Sequence, residues 1–151
     1  MVIVRKEKFN SEKSIQYISD KAEKTENKSG MEDLKLGAAI DIGTTSIAVG
    51  LFDMENEVLL GNLTQTNCQT KFGSDVMMRI MHCTNGKEQL LHDMLIEQIE
   101  NIITVIIEQN ISEKYKSYVV ERMTVVGNTT MCHIFLNRDV TGLSGAPFSM
   151  A

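Results

Sequence analysis

Three short apolar runs follow one another between residues 36 and 64, and their spacing limits the fold more than any other feature. Residues 36–42 (LGAAIDI) end at Gly43-Thr44-Thr45, residues 46–52 (SIAVGLF) end at the polar stretch 53–57, and residues 58–64 (VLLGNLT) form the third run. Short apolar runs closed by turn residues predict buried strands. Connections this short cannot hold a crossover helix, so neighbouring strands must run antiparallel.

Past residue 70 the period lengthens. Val76, Met77, Ile80 and Met81 recur at helical spacing within 72–81, with Ser74 or Asp75 placed as a cap. Met77, Met78 and Met81 read as core filler. From 87 to 109, Leu90, Leu91, Met94, Leu95, Ile99, Ile102, Ile103, Ile106 and Ile107 follow an i, i+3, i+4, i+7 pattern, with Glu88, Asp93, Glu97, Glu100 and Glu108 on the polar face. Such a helix would run about 34 Å and pack across a sheet. A polar break at 110–117 precedes a strand through 118–126, and Gly127-Asn128-Thr129-Thr130 ends it before a helix at 131–136. The expected order is β-β-β-α-α-β-α, an α/β unit.

Charge divides the chain. Residues 1–36 carry a net charge of +1 and residues 37–151 a net charge of −6. The first segment is too polar to offset the cost of ordering, so 1–36 reads as a flexible charged tail and 37–151 as one domain. A length of 151 residues with 42% apolar content allows a real core. The acidic balance argues against nucleic acid and anionic membranes as partners. No apolar run reaches the ~18 residues of a membrane span, and the N-terminus lacks a secretory pattern. Cys68, Cys83 and Cys132 are odd in number and far apart, which fits reduced thiols in a cytoplasmic protein. His82, His92 and His133 show no metal-ligand spacing and read as packed or surface residues.

Two turns carry the chemistry. In Asp41-Ile42-Gly43-Thr44-Thr45 a carboxylate at a strand end precedes a glycine turn and two hydroxyls. Gly43 lets the backbone approach a bulky anion. The amides and the Thr44 and Thr45 hydroxyls can donate to phosphate oxygens. Asp41 suits such a site only with a magnesium ion between it and the phosphate, usually through water. A hairpin turn with a structural aspartate is the other reading. Gly127-Asn128-Thr129-Thr130 leads from a strand into a helix, where amide groups favour an anion. The alternative is a plain N-cap at Thr129 or Thr130, with Asn128 tolerating a positive φ. Neither a P-loop pattern nor a GxGxxG pattern is present.

Residues 39–46 (AIDIGTTS) resemble the first phosphate motif of the acetate and sugar kinase, heat-shock chaperone and actin (ASKHA) superfamily. Residues 71–80 (KFGSDVMMRI) resemble an R-F-G-A-D-V-I-S-R-I segment. Residues 125–133 (VVGNTTMCH), with 142–148 (GLSGAPF), resemble A-G-N-T-T-M-x-H followed by L-G-x-A-P-[FY]. In this order, the segments are similar to those of the RACo-like reductive activators of corrinoid proteins. Cys68 stands where that family usually has proline, and Lys71 where it has arginine.

The resemblance implies a ribonuclease-H-like, actin-like half-domain, with three antiparallel strands plus a parallel one packed by helices. It implies ATP and Mg2+ as ligands and a corrinoid protein of a methyltransferase system as partner. ATP hydrolysis would be coupled to reduction of Co(II) to Co(I). Asp41 would be linked to the magnesium ion, Gly43, Thr44, Thr45 and Gly127 would hold phosphate, and Asn128, Thr129 and Thr130 would face the γ-phosphate or its attacking water. The family's iron–sulfur cluster needs four thiolates. With three separated cysteines, no cluster is expected in this chain. The family's cleft has two walls and this chain is expected to supply one, leaving the ATPase incomplete and an open face available for self-association. An activator of 2-hydroxyacyl-CoA dehydratase, another ASKHA ATPase, and a non-catalytic fragment or interaction module are the competing expectations.

Overall fold

A computed structural model describes residues 32–111 and 115–145. Strands β1 (Glu32–Ile42), β2 (Ser46–Asp53) and β3 (Val58–Thr66) form an antiparallel series, and β4 (Tyr115–Gly127) pairs with β1 in parallel. The four-stranded sheet has the order β3-β2-β1-β4. This is the mixed sheet that the resemblance implied, and its three antiparallel strands are those the apolar runs predicted.

Alternation along each strand builds the core. Leu36, Ala38, Ile40 and Ile42 of β1, Ile47, Val49 and Leu51 of β2, and Met123 and Val125 of β4 are buried. Helix α2 (Glu88–Asn110) contributes Leu91, Leu95, Ile99, Ile102 and Ile106 to the same cluster. Each such side chain stabilises the fold by roughly 1.5–3 kcal/mol through burial. The acidic residues Glu88, Asp93, Glu97 and Glu108 lie on the exposed side of α2. The β2–β3 turn is closed by buried Asp53, which accepts from the Glu55 and Asn56 amides at 2.8 and 3.0 Å.

The structure departs from expectation in four places. First, β1 begins at Glu32 inside the expected tail, and Leu34 and Leu36 are buried. β4 likewise begins within the expected polar break. The two extensions pair with each other: Glu32 aligns with Tyr115 and Leu36 with Val120. Backbone pairing therefore orders a polar stretch that hydropathy alone marks as loop. The remainder of the tail, residues 1–31, lies outside the described residues.

Second, the single helix expected over 72–81 is divided. A 3-10 turn (Cys68–Phe72) ends at Gly73, and α1 (Val76–His82) follows, capped by Asp75, which accepts from the Met78 amide at 2.9 Å. Third, the methionines are not core filler. Helix α1 turns Arg79 and Ile80 inward, leaving Met77, Met78 and Met81 at 59%, 36% and 42% exposure. Fourth, α3 (Thr129–Phe135) starts earlier than expected and its cap is Asn128, not a threonine. Asn128 has φ −68°, so no positive φ is involved.

Candidate functional site

Parallel pairing of β1 with β4 ends with Ile42 opposite Gly127, so the turns after the two strands emerge side by side. Carboxyl ends of adjacent parallel strands are where open α/β sheets place their ligands. In the first turn, the Gly43 amide donates to the Ser46 carbonyl at 2.9 Å. A Cβ on Gly43 would stand 2.7 Å from that same oxygen, so the tight turn requires glycine. A Cβ on Gly127 would stand 2.9 Å from the Ile42 carbonyl oxygen, so glycine also sets the close approach of the two strand ends.

Asn128 links the turns. Its Nδ2 donates to Thr44 Oγ1 at 3.1 Å, while its Oδ1 accepts from the Met131 amide at 2.9 Å. One side chain thus caps α3 and holds the hydroxyl of the first turn. Asp41 is exposed at the end of β1, aligned with Ala48 on one side and Val126 on the other.

Three consecutive carbonyls of the first turn are held by two residues that sequence reasoning did not assign to the site. Asn67 Nδ2 donates to the Gly43 carbonyl at 2.8 Å, and the Asn67 amide donates to the Thr45 carbonyl at 2.8 Å. Arg79 Nη2 donates to the Thr44 carbonyl at 3.2 Å, and its Nη1 to the Gly73 carbonyl. Asn67 and Arg79 are fully buried. In a planar trans peptide the N–H points opposite to the preceding C=O. Carbonyls drawn toward the interior therefore turn the amides of Thr44, Thr45 and Ser46 the other way. Burial pushes the Arg79 guanidinium down from its usual range, because the charged form loses its hydration.

The scaffold behind the turn is tied to the long helix. The Cys68 amide donates to Gln98 Oε1 at 2.8 Å, and Gln69 Nε2 donates to the Leu91 carbonyl at 2.7 Å. The available signal was a polar cluster, Asn67-Cys68-Gln69, beside an apolar helix face interrupted by Arg79.

Of the residues expected at the site, Asp41, Gly43, Thr44, Thr45, Gly127, Asn128 and Thr129 sit on or between the two turns. Thr129 is exposed. Thr130, expected to face the cleft, is 4% exposed and turned into the protein, because the Asn128 cap starts the helix one residue before it.

No group of three or more His, Cys, Asp or Glu among the described residues is arranged to hold a metal ion. Asp41 is the carboxylate at the turns, and that fits a magnesium ion kept mostly by water and phosphate oxygens, as this ion prefers. His92 Nδ1 bonds the Ile134 carbonyl and His133 Nδ1 the Asp139 carbonyl, so both are packed residues. His82 meets Phe72 edge-on. Burial pushes the Cys83 thiol up to about 11 and raises those of Cys68 and Cys132. A depression of about 340 Å³ lies on the sheet face beside the site, lined by Ala39, Asp41, Ala48, Gly50, Thr124 and Val126. A larger one of about 430 Å³, between Cys83 and Thr141, contains none of the expected site residues.

Residues 36–151 match the family model described as the RACo middle region. The chain belongs to the RACo family. A corrinoid activation enzyme, RamQ, of Eubacterium limosum is 34% identical over 114 residues, covering 74% of this chain and 19% of the relative. A solved structure of a reductive activator for corrinoid, iron-sulfur protein superposes with a TM-score of 0.69 at 31% identity, covering 83% of this chain and 19% of that one. This RACo-family chain spans about a fifth of the length of each. No described helix is long and apolar enough to cross a membrane.

Proposed function

We propose that the chain forms the phosphate-binding wall of an ATP-driven reductive activator of corrinoid proteins. The observation that carries this reading is the joining of the two turns by Asn128 and Thr44, with the carbonyls of Gly43, Thr44 and Thr45 all held from the protein side. That arrangement is preorganised to present amide donors and hydroxyls to an anion, which gives electrostatic stabilisation without reorganisation.

Thr44 and Thr45 hold phosphate oxygens through their amides and hydroxyls. Asp41 would hold the magnesium ion through water. Asn128 and Thr129 would orient the γ-phosphate or the water that attacks it. Mg-ATP held there would supply free energy through its hydrolysis to ADP and phosphate, by attack of water on the γ-phosphorus. In the whole activator that free energy supports transfer of one electron from an external low-potential donor to Co(II), giving Co(I). The partner is a corrinoid protein of a methyltransferase system, and the compartment is the cytoplasm.

A chimera tests this reading. Residues 36–145 replace the matched stretch of a full-length corrinoid activator, and Co(I) formation on a corrinoid protein is followed with and without ATP. ATP-dependent reduction that Asp41→Ala removes is the expected result. A folded chimera whose activity is indifferent to Asp41→Ala overturns the assignment.

A further inference from the structure

Arg79 occupies a place that an apolar side chain would fill at lower cost. It is 0% exposed on a helix whose outer face is exposed methionine. Its described hydrogen-bond partners are two neutral carbonyls, those of Gly73 and Thr44, and its Nε has no hydrogen-bond partner among the described residues. A buried guanidinium without a carboxylate partner is expensive, and packed hydrophobic residues commonly replace buried ions without loss of stability. The geometry therefore calls for a role other than packing.

We propose that Arg79 is a positioning residue for the phosphate turn. Nη2 holds the Thr44 carbonyl toward the interior and so aims the Thr45 amide outward. Nη1 fastens the same guanidinium to Gly73, at the joint between the 3-10 turn and α1. Asn67 does the corresponding work on either side, fixing the carbonyls of Gly43 and Thr45. The planar fork of arginine holds two carbonyls in a fixed relation, which a lysine ammonium on a flexible stem does not reproduce. Arg79→Lys thus separates the geometry of the fork from its charge. The proposal rests on the nucleotide reading of the turn, but the order of the turn can be measured without nucleotide.

The test uses the 15N-labelled chain. Backbone order parameters of Thr44 and Thr45 are measured in wild type, Arg79→Lys and Met77→Gln, followed by titration with Mg-ATP. Wild type and Met77→Gln, which changes only the outer face of α1, are expected near the rigid value of ~0.85 at the turn. Arg79→Lys is expected to keep a cooperative melt, to fall toward ~0.6 at Thr44 and Thr45 alone, and to bind Mg-ATP on the order of tenfold more weakly. A folded Arg79→Lys chain with wild-type turn order and wild-type binding overturns the proposal. If that variant does not fold, the guanidino resonances of the unmodified chain decide. Separate, slowly exchanging Nη signals support two fixed carbonyl bonds, and one averaged signal overturns them. Should Mg-ATP shift no turn amide in wild type, the nucleotide reading fails while the order parameters still judge Arg79.

Discussion

The Asn128 side chain bonds Thr44 Oγ1 with its amide nitrogen and the Met131 amide with its oxygen, so a single residue is both helix cap and bridge between turns. The two roles separate by substitution. Asn128→Ala removes both and should cost about 1 kcal/mol from the cap alone, seen as a fall of roughly 2–4 °C in Tm. Asn128→Asp keeps the cap acceptor at a helix N-terminus, where negative charge is favourable. It should melt close to wild type while losing the donor to Thr44. Equal melting of Asn128→Ala and wild type would show that the cap is not formed.

Gly43 and Gly145 give opposite predictions for the same change. A Cβ at Gly43 would press on the Ser46 carbonyl oxygen at 2.7 Å, whereas a Cβ at Gly145 would meet nothing within 4 Å among the described residues. Gly43→Ala should destabilise by about 1–3 kcal/mol, the range for forced overpacking. Gly145→Ala should stay within about 0.5 kcal/mol. Urea denaturation of the two variants checks the contrast.

The division between core and surface is tested on two helices. Ile99 of α2 is 1% exposed, and Met77 of α1 is 59% exposed. Ile99→Ala should cost about 2–5 kcal/mol, and Met77→Ala within about 0.5 kcal/mol. A large loss at Met77 would restore the methionines to the core.

Cys83 makes stability fall in alkali. The folded chain holds its thiol proton up to about 11, against an ordinary value of 9.0. Above the ordinary value the unfolded chain binds fewer protons than the folded one, so stability decreases as pH rises. The loss attributable to Cys83 should be about 1–3 kcal/mol between about pH 9 and about pH 11. The slope should be shallower in Cys83→Ala. Cys68 and Cys132 are displaced in the same direction, so a smaller slope remains. Unchanged slopes in wild type and Cys83→Ala would remove this thiol from the account.

The strands around Gly43 and the long helix were legible because their signals are local. Apolar runs closed by turn residues define β1 to β3, and a sustained 3.6-residue period defines α2. The beginnings of β1 and β4 were not legible, since Glu32 and Tyr115 are ordered by pairing with each other. The orientation of α1 was hidden for a related reason: its inward face is led by a charged residue, Arg79, whose partners are backbone carbonyls, one of them 35 positions away in sequence. At the site, Asp41, Gly43 and Thr44 stood out by residue type. Asn67 did not, because its task is to hold the Gly43 carbonyl, 24 positions away in sequence. Thr130 was assigned by its place in a motif, and one step around a helix turn buries it.

The central claim is that the two joined turns form one phosphate-binding surface. Titration of the 15N-labelled chain with Mg-ATP, followed through its backbone amide resonances, tests it most directly. The account predicts weak binding in which Thr44, Thr45 and residues 127–129 shift together with one dissociation constant, and loss of those shifts in Asp41→Ala. Silent turns at millimolar nucleotide, or shifts confined to the cavity between Cys83 and Thr141, would contradict it.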